Sequence, residues 1–283
     1  MLAPKPPLLY VIVGPTCSGK SALALKLAQK EQCSIISADS RQCYQELNIG
    51  VAKPTNAELA LVPHYYINSH QLLQVQTAAD FATYSLNTLE QIFKNNSKAI
   101  MVGGSGLYIK AALEGLHAIP SISEEVKTKV DLFFKENELS IIQKLIQEID
   151  PVIYKQIDIY NPARLQRFLE VYWQTGHSLN YFWQQQKNIQ LPFEINYIGI
   201  LIEREILYQQ INNRVDLMIE QGLEKEVGDL QEFKTHRALR SIGYQEFFDY
   251  FDNKWSYHTT INKIKQHTCN YAKRQITWFK KND

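Results

Sequence analysis

A chain of 283 residues with a formal charge of +1 is long enough for one large domain or two modest ones, and that charge does not by itself point to nucleic acid. No apolar run reaches the length of a membrane span and "MLAPKPP" lacks signal-peptide architecture, so a cytoplasmic protein with no membrane partner is expected. Cys17, Cys33, Cys43 and Cys269 show neither C-x-x-C nor zinc-finger spacing and read as free thiols.

In chain order, the apolar, β-branched run "LLYVIV" (8–13) reads as a buried strand and "SALALKLAQK" (21–30) as the helix after it. Between them lies "GPTCSGKS" (14–21), with the spacing G-x-x-x-x-G-K-S. Its glycines let the backbone curl until successive N–H groups face one oxyanion. Lys20 supplies a point charge, the Ser21 hydroxyl is placed to hold Mg²⁺, and the helix N-terminus faces the anion. By motif alone such a loop implies nucleotide or ATP binding. "CSIIS" (33–37) reads as a second strand, Ala78–Phe93 as an amphipathic helix and "AIMV" (99–102) as a third strand. Strands alternating with helices predict a parallel sheet covered on both faces. Ligands bind such sheets at the carboxyl ends of the strands, where "ADSRQ" (38–42) and "GGSG" (103–106) fall.

From about Ile119 the text turns helical. "SEEVKTKVDLFFKEN" and "SIIQKLIQEID" are helix candidates, and "NPARLQRFLEVYWQTG" has an Asn161 cap, Pro162 at its first position and Gly176 at its stop. The strand-like "INYIGILI" (195–202) then returns to the sheet, and helices finish the chain, the last over 258–280. Expected divisions are a core over 1–118, a helical insertion over 119–194 and a second part of the core over 195–283. Charge is uneven: residues 254–283 hold seven Lys or Arg against Asp283 alone, which leaves about −5 elsewhere by subtraction from +1.

Most P-loop ATPases and GTPases need a second apolar strand ending in Asp. Here "KAIMVGGSG" ends in glycines, whereas "SIISADS" ends in Asp39. A carboxylate there suits a proton-abstracting base, and equally a turn cap or an anchor for Mg²⁺ through water.

The longer motifs separate these readings. "GPTCSGKS", "SADSRQCYQELNIGVAKP", "VGGSGLYIKAAL", "NPARLQRFLEVYWQTGHS", "RSIGYQE" and "TCNYAKRQITWF" occur in this order over nearly the whole chain. Together they closely resemble the tRNA dimethylallyltransferases of bacterial type, also called tRNA isopentenyltransferases. The resemblance implies an α/β fold, a P-loop NTPase-like core with a parallel sheet and a helical insertion domain. It also implies Mg²⁺-dependent transfer of the dimethylallyl group from dimethylallyl diphosphate to N6 of adenine 37 in the tRNA anticodon stem-loop, by a monomer. The target adenine would be flipped from its stack.

Carried onto this sequence, Gly14, Pro15, Thr16, Cys17, Ser18, Gly19, Lys20 and Ser21 would hold the diphosphate, with Ser21 on Mg²⁺. Asp39, Lys20 and Arg214 would be catalytic, Asp39 as base and Arg214 against the leaving diphosphate. Asp39, Ser40, Arg41, Gln42 and Ser105 would meet the flipped nucleotide. Ala163, Arg164, Leu165, Gln166 and Arg167 would meet the stem-loop, as would Lys273 and Arg274. Arg164 and Arg167 also fit an ordinary solvated helix face, opposite a stripe of Leu165, Phe168, Leu169 and Tyr172. Cys17, Val51, Asn68, Ser105 and Cys269-Asn270 depart from the family pattern; only the last removes a positive charge. The rival readings are a small-molecule P-loop kinase and a non-catalytic tRNA-binding module.

Overall fold

A computed structural model describes residues 5–117, 119–185 and 189–281. In chain order the elements are β1 (Leu8–Val13), α1 (Lys20–Glu31), β2 (Ser34–Ser37), α2 (Asn56–Leu61), β3 (His64–Tyr65), α3 (Ala78–Phe93), β4 (Lys98–Gly103) and α4 (Gly106–Leu113). Then come α5 (Glu124–Glu136), α6 (Leu139–Ile149), α7 (Pro151–Gln156), α8 (Pro162–Thr175) and α9 (Leu179–Trp183). The chain closes with β5 (Glu194–Gly199), α10 (Arg204–Glu220), α11 (Leu223–Gly228), α12 (Tyr244–Phe251) and α13 (Tyr257–Lys281). Two compact units result, residues 1–114 with 190–283, and residues 115–189.

The first unit is built on a parallel sheet of order β3-β2-β4-β1-β5. Alternation along β1 serves both faces. Leu9, Val11 and Val13 enter the larger core, whereas Ile12 meets Ala24 and Ala28 of α1 on the other side. This explains why the run is apolar without interruption. The strands end in register, Val13 opposite both Gly103 and Gly199, and Ser37 opposite Val102. The loops after β1, β2 and β4 therefore leave from one edge.

That edge is crowded. A Cβ on Gly103 would lie 2.1 Å from the Ala38 carbonyl oxygen, a backbone atom that cannot swing away. Gly103→Ala is expected to lower unfolding free energy by about 1–3 kcal/mol, as overpacking does. In urea unfolding the midpoint should fall with an unchanged m-value; an unmoved midpoint would show that the two strands separate freely.

The expected strand 195–202 is shorter in the structure. Beyond the Ile200 N–H, which donates to Val13 O at 2.9 Å, β1 has turned into the loop at Gly14 and offers no further partner. Among the described residues β5 pairs only with β1, as an edge strand, and is largely exposed.

In the second unit Val130, Ile142, Ile146, Ile153, Phe168 and Leu169 form a separate core. α8 follows its local signals. The Asn161 side chain accepts from Arg164 N–H, Pro162 opens the helix, and Gly176 ends it at φ 72°. Leu165 does not take the expected place against the stem-loop. It is 0 % exposed within this core, so it packs the helix and cannot touch a nucleic acid. Ala163, Arg164 and Arg167 are exposed, with Arg167 paired to Glu170 at 3.2 Å, and Gln166 bonds to Asp131.

Candidate active site

The loop after β1 folds back on itself. Cys17 (φ 61°) and Gly19 (φ 83°) are left-handed, and Ser18 N–H donates to Pro15 O at 3.3 Å. Ser18 Oγ is buried with no hydrogen-bond partner among the described residues. A buried orphan hydroxyl inside a curled loop at a helix N-terminus fits a cradle that an anion completes.

Lys20 Nζ donates to Pro15 O at 2.9 Å, holding its charge under the loop. Burial pushes its pKa down to about 8; Asp39 opposes this and Arg214 adds to it. The ammonium form predominates below about pH 8 and gives way to the neutral amine above it. An arriving anion favours the ammonium form, so binding takes up a proton near pH 8. Inorganic diphosphate is therefore expected to bind wild type better than Lys20→Met at pH 7, with the ratio shrinking by pH 9. A constant ratio in calorimetric titrations would remove Lys20 from the anion site.

Asp39, after β2, uses one oxygen to shape its own loop. Oδ1 accepts from Arg41 N–H at 2.8 Å and Gln42 N–H at 3.3 Å. Oδ2 has no hydrogen-bond partner among the described residues, and Asp39 lines the cavity beside the loop. Turn cap and proton acceptor are thus compatible roles for one carboxylate. Ser105, after β4, supports this loop; its Oγ accepts from Ser40 N–H at 3.3 Å. Arg41 reaches Ser40 O at 3.1 Å.

Gln42 differs from expectation. Its Oε1 accepts from Ser37 Oγ at 2.9 Å, and its Nε2 donates to Val51 O and Ala52 O at 3.2 and 3.1 Å. Both ends of the amide tie the 48–54 loop to β2, so it positions that loop and offers no amide to a nucleotide.

Arg214 comes from α10, where its Nη1 lies 3.3 Å from both Thr16 Oγ1 and Cys17 Sγ. The cavity spans about 1150 Å³ and is lined by Lys20, Arg41, Lys53, Arg214, Arg240 and Arg274, against the carboxylates of Asp39 and Glu58. Such an excess of positive charge draws a polyanion. One wall is apolar, with Val215, Met218, Ile242 and Ile264. Lys273 and Arg274 diverge: Arg274 lines the cavity beside Tyr271, and the Lys273 ammonium sits 5.7 Å from the Tyr208 ring.

Several site residues escaped sequence reasoning. Arg240 stood inside the quoted "RSIGYQE" without a role. Glu226 carried no signal, yet it accepts from Ile49 N–H, Gly50 N–H and Tyr244 OH at 2.7, 3.1 and 2.6 Å and so holds the 48–54 loop. Gln275 lies inside the motif "TCNYAKRQITWF", and its side chain bonds to the backbone of Thr16 and Gly104.

A curled loop between an inner parallel strand and a helix N-terminus, opening onto a cationic cavity, marks a P-loop NTPase-like α/β fold. Comparison with known proteins narrows this. The family model described as IPP transferase matches residues 42–282. The tRNA dimethylallyltransferase of Christiangramia forsetii is 40% identical over 273 residues, covering 96% of this chain and 90% of its own. The solved tRNA delta(2)-isopentenylpyrophosphate transferase of Staphylococcus epidermidis aligns at a TM-score of 0.68 with 35% identity, over 97% of this chain and 90% of that one. A eukaryotic dimethylallyltransferase, solved acting on tRNA, aligns at 0.79 with 27% identity, over 96% of this chain and 69% of that one. The chain belongs to the IPP transferase family.

Proposed function

We propose that this protein transfers the dimethylallyl group of dimethylallyl diphosphate to N6 of adenine 37 in the tRNA anticodon stem-loop, acting as a monomer in the cytoplasm. Among the described residues no helix is long and apolar enough to cross a membrane. The observation that carries the reading is Asp39 Oδ2, without a hydrogen-bond partner among the described residues, beside the loop after β1 in a cavity lined by an excess of cations and by apolar side chains.

In this reaction the N6 lone pair attacks the allylic carbon, the C–O bond to diphosphate breaks, and its electron pair leaves with the diphosphate. The N6 proton passes to Asp39. Lys20 and Arg214 face the leaving group, whose charge grows as the bond breaks, so they stabilise the transition state more than the ground state. The wall of Val215, Met218, Ile242 and Ile264 accommodates the allyl tail and excludes water. Ser21, at the opening of α1, lines the cavity and would hold Mg²⁺ through its hydroxyl. A single hydroxyl suits an ion such as Mg²⁺, which usually keeps several of its waters. When bound, Mg²⁺ supplies charge neutralisation at the diphosphate.

Nucleoside mass analysis of tRNA incubated with protein, dimethylallyl diphosphate and Mg²⁺ tests the proposal. Prenylated adenosine is expected, with negligible ATP hydrolysis. RNA-independent ATP turnover would establish the kinase instead, and RNA binding without product the non-catalytic module. The diverging cations of α13 give a second check. Arg274→Gln should lower the log–log salt slope of tRNA binding by about one unit, and Lys273→Gln by about half a unit. Slopes equal to wild type in both would mean that this helix meets no RNA phosphate.

A further inference from the structure

Gln275 is where α13 is fastened to the loops that carry the chemistry. Its side chain is 6 % exposed, and both ends of its amide are used. Oε1 accepts the Thr16 backbone N–H at 2.8 Å, and Nε2 donates to the Gly104 carbonyl at 3.0 Å. The orientation is unambiguous, because one partner can only donate and the other only accept. Both bonds go to main chain, so they fix where the loops run. The contact is tight: a Cβ on Gly104 would lie 2.2 Å from Nε2.

The two bonded segments lead to the two halves of the reaction. Thr16 belongs to the anion loop, and its hydroxyl lies 3.3 Å from Arg214 Nη1. Because its N–H is held by Gln275, Thr16 is left with its hydroxyl to offer a diphosphate. Gly104 is followed by Ser105, whose Oγ accepts from Ser40 N–H and whose N–H donates to Ala38 O at 3.3 Å. The Asp39 loop therefore hangs from the segment that Gln275 grips on its other side. A neutral amide of this length donates and accepts at once; a carboxylate, an ammonium or a thioether cannot.

We propose that Gln275 is a positioning residue for prenyl transfer, setting the separation of the anion loop from the Asp39 loop. The proposal rests on the transferase reading above. Donor carbon and acceptor nitrogen must approach to about 3–3.5 Å, and misplacement by about 1 Å costs about 10²-fold in rate.

Two variants separate this role from simple anchoring of the helix. Gln275→Met keeps the volume and loses both bonds. Gln275→Glu keeps an acceptor for Thr16 N–H and turns an acceptor against Gly104 O. Single-turnover transfer with saturating donor and tRNA is expected to fall about 10²-fold in Gln275→Met and at least as far in Gln275→Glu, whose buried carboxylate opposes Gly104 O. tRNA affinity should stay within about threefold, and the affinity for inorganic diphosphate should drop. A transfer rate within about threefold of wild type in Gln275→Met overturns the proposal. So does a loss confined to tRNA affinity, which would make Gln275 an anchor for an RNA-facing helix. If Gln275→Met does not fold, Ser105→Ala cuts the same linkage from the Ser40 side. It should slow transfer about tenfold, and a wild-type rate there overturns the proposal. If wild-type protein makes no prenylated RNA, the transferase reading is what fails. Diphosphate titration then decides alone, and an affinity unchanged in Gln275→Met refutes the positioning role.

Discussion

Asp39→Asn is expected to slow the prenyl-transfer step by about 10²–10⁴, the range commonly supplied by a general base. The exocyclic amine of adenine is conjugated with its ring and is a poor nucleophile. Attack leaves a positively charged nitrogen that must shed a proton. Asp39 Oδ2 is available for it because the two backbone N–H groups of its turn are both taken by Oδ1. Asparagine can still accept those two bonds through its carbonyl oxygen, so the loop should keep its shape while the second position becomes a donor. tRNA affinity should accordingly change by less than about tenfold, under about 1.4 kcal/mol. Single-turnover kinetics with saturating donor, beside a tRNA titration, read the two quantities separately. Transfer at the wild-type rate would show that the proton leaves by another route. Collapse of RNA binding with intact chemistry would make Asp39 a docking group for the flipped base.

Arg214→Gln is expected to cost about 10²–10³ in the same step, comparable to removing one preorganised donor from a developing charge. The guanidinium stands against Thr16 and Cys17 of the loop after β1, where in the proposed reaction a departing diphosphate would gather charge. Glutamine retains reach and a hydrogen-bond donor but no charge. The transition state, carrying more charge on the leaving group than the bound donor does, should suffer more than the ground state. The loss should therefore fall mainly on kcat, with a smaller rise in KM for dimethylallyl diphosphate. A rise in KM alone, with kcat unchanged, would reassign Arg214 to donor binding. Thermal unfolding of the variant should stay near wild type, since Arg214 is not among the buried core residues.

What the chain determines locally was readable without a structure. The strand–loop–helix of residues 8–31 follows from an apolar run, glycines at fixed offsets and a helix-forming stretch, all contiguous in sequence. The caps of α8 are equally local, because Asn161, Pro162 and Gly176 act on backbone groups a few residues away. The position of Asp39 at the end of a strand was legible from the residues, and the family motifs gave it the role of base and added Arg214, which periodicity alone could not have assigned. Tertiary structure decided the rest. Thr16 and Gln275 are 259 residues apart in sequence and share a 2.8 Å bond, and no local pattern encodes that pairing. Lys273 and Arg274 are adjacent in sequence, but one residue of helix turns a side chain by roughly 100°. One cation therefore joins the cavity and its neighbour the Tyr208 ring. Leu165 and Gln42 sit within motifs whose neighbours face outward or into the cavity, yet packing buries the first and backbone carbonyls take up the second. β5 ends at Gly199 because β1 has already turned into the anion loop. Motif and period specify backbone conformation through contacts a few residues long. The partner each side chain meets is set by long-range packing, and that partner decides whether a polar group binds, positions or is buried.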